Sequence, residues 1–291
     1  MRNLDENTIT EEAIRRLENC KDARFKEIMT SLTRHLHEFA REVKLTEAEW
    51  MQGLEYLTAV GQKCDDKRQE FILLSDTLGL SMLVVALNNR KPEGCTEATV
   101  FGPFHTDKAS DFNNGDDLAK GVTGQPAFIS GTVRGQDGKP IAGAVIDVWQ
   151  ADGDGIYDVQ YTDKDGALFA RGRLKSDANG KYWFRSVLPE FYSIPTDGPV
   201  GEWIRRGGRH PFRPAHLHFM LQAPGYEKLV THVFRSDDQY LDSDAVFGVR
   251  SSLISDWVRH EPGTAPDGTK MDKPYYTLDF DFILPPLKKA A

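Results

Sequence analysis

Cysteine is scarce in this chain. Cys20, Cys64 and Cys95 are the only ones in 291 residues, an odd number with no CxxC spacing. A disulfide framework is not expected, a reducing compartment fits better, and each thiol is expected to be a buried apolar side chain. Positive charge is also in short supply. The 36 Lys and Arg stand against 44 Asp and Glu, a formal net charge of −8, and no basic stripe is present. That argues against a nucleic-acid partner, which needs clustered cations to replace counterions. No run reaches the ~18 apolar residues of a membrane span. Residues Met1 to Glu6 lack the apolar core of a signal peptide, so the expected setting is the cytoplasm. With 40% hydrophobic and 27% charged residues the chain is globular, long enough for one large domain or two ordinary ones.

What is there divides into two periods. Up to about residue 90 the pattern is helical. Thr8 with Glu11, or Thr10 alone, is placed to cap a first helix carrying Ile14 and Leu17. A second helix spans about Asp22 to Val43, with Phe25, Ile28, Leu32, Leu36 and Phe39 on one face. Thr46 and Glu49 form a capping box for a third. A fourth is expected from near Asp66 to Leu87, apolar nearly all round from Leu78 and so buried on several sides.

Beyond about residue 100 short strands alternate with turns. Phe128–Val133 leads through Gln136–Pro140 to a returning strand, Ala144–Gln150. Asn179-Gly180 signals a hairpin between Leu174–Ser176 and Tyr182–Phe184. Leu229–Phe234 is another strand, and Tyr276–Leu284 alternates with Leu278, Phe280, Phe282 and Leu284 on one face. Thr106–Gln125 is expected as loop. The fold class is therefore mixed: an antiparallel β-sandwich behind an all-α N-terminal region.

The chemistry centres on Arg213-Pro214-Ala215-His216-Leu217-His218. On a strand, side chains alternate faces, so both imidazoles point the same way. Zinc sites, cupins and amidohydrolases use the same pair, and a zinc hydrolase is one reading, although no third ligand and general base stand out. Tyr157 follows a Gly-rich turn, and Tyr192 lies between Pro189 and Pro195; both are expected in loops. Two phenolates beside two imidazoles suit ferric iron, a hard cation matched by anionic oxygen. Two phenolates and a hydroxide neutralise its charge, and a catecholate dianion can replace one phenolate and the hydroxide. Either tyrosine alone reads more simply as a core residue. Arg213 is either one half of a surface ion pair or a cation beside developing negative charge. His232 is either a core histidine or a hydrogen-bond partner of a site anion. Asp152–Gly155 and Asp163–Gly166 read as turns, lacking the terminal Glu of a calcium loop. His35 and His37 fall on different helix faces.

Gly155-Ile156-Tyr157, Pro189-x-x-Tyr192 and Gly208-Arg209-His210-x-x-Arg213-Pro214-Ala215-His216-x-His218 together resemble the intradiol catechol dioxygenases. The resemblance covers nearly the whole chain and is nearest the hydroxyquinol branch. It implies one Fe(III) per subunit on Tyr157, Tyr192, His216 and His218, with Tyr192 and Arg213 catalytic and His210 outside the set. It implies a substrate pocket of Leu73, Asp76, Val100, Phe101, Gly102, Pro103, Phe104, Ile194, Pro195, Arg213, His232 and Val246, in which Asp76 accepts from a third substrate hydroxyl. Phe191 before Tyr192, and His232 where catechol enzymes usually carry Gln, fit that branch. Residues 1–100 would be a dimerising linker domain, with a phospholipid held between two copies, and residues 101–291 the catalytic sandwich. The expected reaction inserts both atoms of O2 into hydroxyquinol, giving 3-hydroxy-cis,cis-muconate or its keto form maleylacetate. Catechol or chlorocatechol is the alternative substrate. A non-enzymatic ligand-binding module, suggested by the Gly138–Val145 hairpin, is the alternative outside enzymes.

Overall fold

A computed structural model describes residues 3–66, 68–161 and 168–288. The Asp163–Gly166 turn lies outside them. The described residues up to Gly61 form one compact unit and those from Gln62 onward another.

The first unit is helical. Helix α1 (Ile9–Arg15) lacks the expected capping box. Thr8 is tied back to Asp5 instead, donating from Oγ1 at 2.7 Å, and Thr10 is buried against Nδ1 of His37 at 3.0 Å. Helix α2 (Ala23–Glu42) is capped by Asp22, whose carboxylate accepts from the Phe25 amide at 2.9 Å. Helix α3 (Glu47–Gln62) opens with the reciprocal Thr46–Glu49 box. No residue of α2 is buried, and Phe25, Ile28, Leu32, Leu36 and Phe39 stand exposed at helical spacing.

The second unit begins with a correction. The expected fourth helix is two, α4 (Glu70–Thr77) and α5 (Leu80–Asn88), bent by 78°. Gly79 makes the bend at φ +77°, and a Cβ there would also meet the Phe247 ring at 3.3 Å. The apolar face of α5 is not enclosed: only Met82 is buried, while Leu80, Leu83, Val84 and Leu87 are exposed. Among the described residues no single helix is long and apolar enough to cross a membrane.

The strands are β1 (Pro126–Gly135), β2 (Val145–Gln150), β3 (Arg171–Lys175), β4 (Lys181–Val187), β5 (Tyr192–Ser193), β6 (Phe212–Arg213), β7 (His216–Gln222), β8 (Leu229–Arg235), β9 (Ile254–Ser255), β10 (Val258–His260), β11 (Gly263–Thr264), β12 (Lys270–Met271), β13 (Tyr275–Asp279) and β14 (Phe282–Leu284), with helix α6 (Pro199–Arg206) between β5 and β6. One sheet runs β10-β13-β1-β14, with β4 also on β1; the other runs β3-β2-β7-β8-β9. Pairing is mostly antiparallel, with β13 and β14 parallel to β1 and β9 parallel to β8. Both expected hairpins are crossovers. β2 does not return beside β1 but pairs β3 and β7, and the Asn179-Gly180 turn joins β3 of one sheet to β4 of the other. Gly180 is tight at φ +74° because the Val133 carbonyl lies 2.6 Å from where a Cβ would be.

The core lies between the sheets. Ile129, Val133, Tyr182, Phe184, Leu278 and Phe282 of one meet Ile146, Val148, Leu174, Leu217, Phe219, Leu221 and Val233 of the other. Because faces alternate, this fixes what points the other way. With Leu217 and Phe219 inward, His216 and His218 face outward from β7. By the same rule β2 presents Asp147 and Trp149, and β8 presents His232 and Phe234.

Candidate metal centre and active site

The outward face of β2, β7 and β8 is walled by other segments and closed to water. His216, His218, Tyr157, Tyr192, Arg213 and His232 are each at most 6% exposed. Tyr157 stands just before a short 3-10 turn, Asp158–Gln160. Gly155, at φ +77°, lets this loop lie on the neighbouring segment, where a Cβ would come within 2.7 Å of the Phe191 carbonyl. Tyr192 is not in a loop as expected. It sits on β5, directly opposite Arg213 on β6.

Three atoms converge. Tyr157 Oη lies 3.0 Å from His218 Nε2 and 3.4 Å from His216 Nε2, and the two imidazole nitrogens are 3.1 Å apart. His216 Nδ1 donates to the Pro214 carbonyl at 2.7 Å, so its Nε2 presents a lone pair. Donors about 2 Å from one ion stand about 3 Å from each other. Buried lone pairs crowded at that spacing, with a phenol among them, fit iron. Tyr192 joins through Arg213, whose Nη1 donates to Tyr192 Oη at 3.1 Å and lies 3.4 Å from His216 Nε2. His232 lies behind, its ring nearly parallel to that of His216 at 4.6 Å, with Nδ1 turned to Arg213 Nη2 at 3.5 Å. The three histidine side chains form a buried group whose ligand atoms all lie within 4.8 Å of one another. The phenol contacts run to His216 and His218.

Electrostatics follow from burial. It pushes the Tyr157 phenol well above its ordinary range, with Tyr192 adding to the rise and Arg213 opposing it. It raises Tyr192 as well, where Arg213 offsets part. It takes His216 down to about 3, helped by the Arg213 charge, and holds His218 and His232 well below the usual imidazole range. All three imidazoles are neutral at pH 7, the state in which they bind a metal. Burial works against the Arg213 charge, but Asp244 and then Tyr192 outweigh it and hold the guanidinium pKa up. The Asp244 carboxyl is lowered: Arg213 overcomes its burial.

Arg213 is therefore no surface residue. It is 2% exposed and paired with Asp244 Oδ1 at 3.0 Å. Gly248 leaves room for the pair, since a Cβ there would meet Arg213 Nη2 at 2.9 Å.

The expected pocket residues fall into groups. Leu73, Asp76, Pro103, Phe104 and Pro195 line one cavity of about 980 Å³, open beside the site. Phe104 stacks on Tyr157 at 4.4 Å. Gly102 abuts His218, where a Cβ would be 3.1 Å from Cε1. Val100, Ile194 and Val246 are buried. Phe101 is 40% exposed, against His105 and Trp149. Burial raises the Asp76 carboxyl, with Ser81 and Arg213 opposing. His210 turns away to Phe212 and Tyr240. Cys20, Cys64 and Cys95 are half-buried, not buried as expected.

Sequence reasoning missed Asp244, the Asp158–Arg171 pair, the His105–Asp147 pair at 3.2 Å and Trp149, which stacks on His218 at 4.6 Å. Asp147 and Trp149 were discoverable, because they alternate with Ile146 and Val148 on β2. Asp244 gave no local signal.

A family model described as Dioxygenase matches residues 99–286, and one described as Catechol dioxygenase N terminus matches residues 22–96. The 6-chlorohydroxyquinol 1,2-dioxygenase of Cupriavidus pinatubonensis is 60% identical over 288 residues, 98% of this chain and 99% of that protein. The crystal structure of hydroxyquinol 1,2-dioxygenase from Pseudomonas putida DLL-E4 matches with a TM-score of 0.90 and 49% identity, over 97% of this chain and 99% of that one. Catechol 1,2-dioxygenase from Acinetobacter sp. ADP1 matches at 0.85 and 26%, over 98% and 95%. The chain belongs to the intradiol catechol dioxygenase family, ring-cleaving oxidoreductases that depend on iron.

Proposed function

We propose that this enzyme opens hydroxyquinol between adjacent hydroxyls, giving 3-hydroxy-cis,cis-muconate or maleylacetate, with one Fe(III) per subunit on Tyr157, Tyr192, His216 and His218. The observation that supports Tyr157, His216 and His218 as ligands is the convergence of Tyr157 Oη, His216 Nε2 and His218 Nε2 within 3.0 to 3.4 Å. Held by these residues, a ferric ion would supply the Lewis acidity that withdraws electron density from the diol and makes its ring carbon reactive toward dioxygen.

The side chains supply the rest. Tyr192, kept as a phenolate with Arg213 Nη1 donating to its oxygen at 3.1 Å, takes a substrate proton there and becomes a neutral phenol, leaving the negative charge on the substrate oxygen. The same guanidinium, enclosed and pinned by Asp244, is pre-oriented toward charge developing on the substrate, where a low dielectric strengthens its effect. Phe104 and Ile194 wall the ring. Asp76 accepts from the third hydroxyl. Catechol lacks that donor and forfeits the contact, which is the basis of discrimination.

The hydroxyquinol reading is supported by the names of the relatives above, one of them for a chlorinated hydroxyquinol. Oxygen uptake with hydroxyquinol, 6-chlorohydroxyquinol, catechol and chlorocatechol tests it, in the parent and in Asp76→Ala. We expect the highest kcat/KM on a hydroxyquinol, and a loss in the variant several-fold larger for hydroxyquinol than for catechol. Equal losses would remove Asp76 from recognition, and a preference for catechol would overturn the substrate.

The proposal extends to assembly. Residues 1–100 serve as the linker and dimerisation domain and 101–291 as the catalytic domain. Support comes from the uncovered apolar stripe of α2, which a second copy would bury. A phospholipid between the copies and a cytoplasmic setting complete the proposal.

A further inference from the structure

The Asp158–Arg171 pair is fully enclosed beside the site, with Arg171 3% and Asp158 4% exposed. Arg171 lies on β3 opposite Trp149 of β2, on the outward face that also carries the histidines. Its guanidinium does two things at once. Nε and Nη2 clasp both carboxylate oxygens of Asp158, the residue that follows Tyr157. Nη2 also donates to the Phe104 carbonyl at 2.9 Å. Asp158 in turn accepts from the Val159 amide at 2.8 Å and the Phe169 amide at 3.2 Å, so its carboxylate anchors the turn that Tyr157 begins. Phe104 stacks on the Tyr157 ring at 4.4 Å and 25°. One planar cation thus holds the backbone end of Tyr157 and the ring that covers its face.

We propose that Arg171 is a positioning residue for Tyr157, fixing the direction of its phenol oxygen toward His216 and His218. The inference rests on the reading of Tyr157 as an iron ligand. A forked guanidinium bridges two acceptors in a fixed plane, and a lysine ammonium keeps the charge without the fork. Removing the cation alone strands a buried carboxylate, whereas neutralising both partners does not.

The test uses the iron-loaded full chain and three variants, Arg171→Lys, the double variant Asp158→Asn with Arg171→Gln, and Tyr157→Phe. Iron content, the visible tyrosinate-to-iron absorption, kcat and KM for hydroxyquinol are measured. In Arg171→Lys and in the double variant the absorption maximum should move and kcat should fall about tenfold or more, the scale on which small misplacements act, with KM changing less. A folded variant of either kind with parental band position and kcat overturns the inference. Failure of both to fold overturns it too, since Arg171 would then hold the fold and not the ring. Tyr157→Phe separates the two claims. If it keeps the parental band, the ligand reading has failed; if it loses intensity while Arg171→Lys is unchanged, only the positioning role has failed.

Discussion

Tyr192 and Arg213 face each other across the two-residue ladder of β5 and β6, and the guanidinium donates to the phenol oxygen at 3.1 Å. The ladder brings a proposed proton acceptor and a fixed positive charge together, and Asp244 holds the charge in place from the far side.

Asp244→Asn should show what that support contributes. Breaking one side of a buried ion pair typically costs about 3–5 kcal/mol. Denaturant unfolding should show a loss of that order, and oxygen uptake should show kcat reduced about tenfold or more with iron still bound. Parental turnover in a folded variant would mean that Arg213 needs no partner to act.

The iron-free protein should lose stability with acid. His216 titrates at about 3 in the fold, and His218 and His232 are also depressed, while an unfolded histidine titrates at about 6.5. Between those values the unfolded chain binds more protons, so stability rises with pH. This contribution is complete above about 6.5 and is lost as pH falls toward about 3. Urea unfolding of chelator-treated protein at pH 7 and pH 5 checks the sign, and equal midpoints would show that the imidazoles are not buried neutral.

Leu36→Glu places a charge in the middle of the exposed α2 stripe. Light scattering should report a dimer for the parent and a monomer for the variant, with helicity unchanged by circular dichroism. A monomeric parent would remove the proposed assembly.

Local signals were legible in the sequence, and distant ones were not. The capping box of Thr46 and Glu49 needs only neighbouring residues, and it formed. The pairing of His216 with His218 follows from strand period alone. Asn179-Gly180 declared a turn correctly, but turn chemistry does not say which sheet the next strand joins. Leu78-Gly79-Leu80 kept a helical apolar pattern while Gly79 broke the axis at φ +77°, and the Phe247 ring that crowds a Cβ there comes from far along the chain. Asp244 was invisible because a carboxylate 31 residues from its arginine leaves no pattern in the sequence.

The most direct measurement is a crystal structure of the iron-loaded, substrate-free enzyme with anomalous data at the iron edge. A single peak should lie within bonding distance of Tyr157 Oη, Tyr192 Oη, His216 Nε2 and His218 Nε2, with His232 outside the coordination sphere. A peak bound by His232, or one that leaves any of the four side chains away from the metal, would contradict the account.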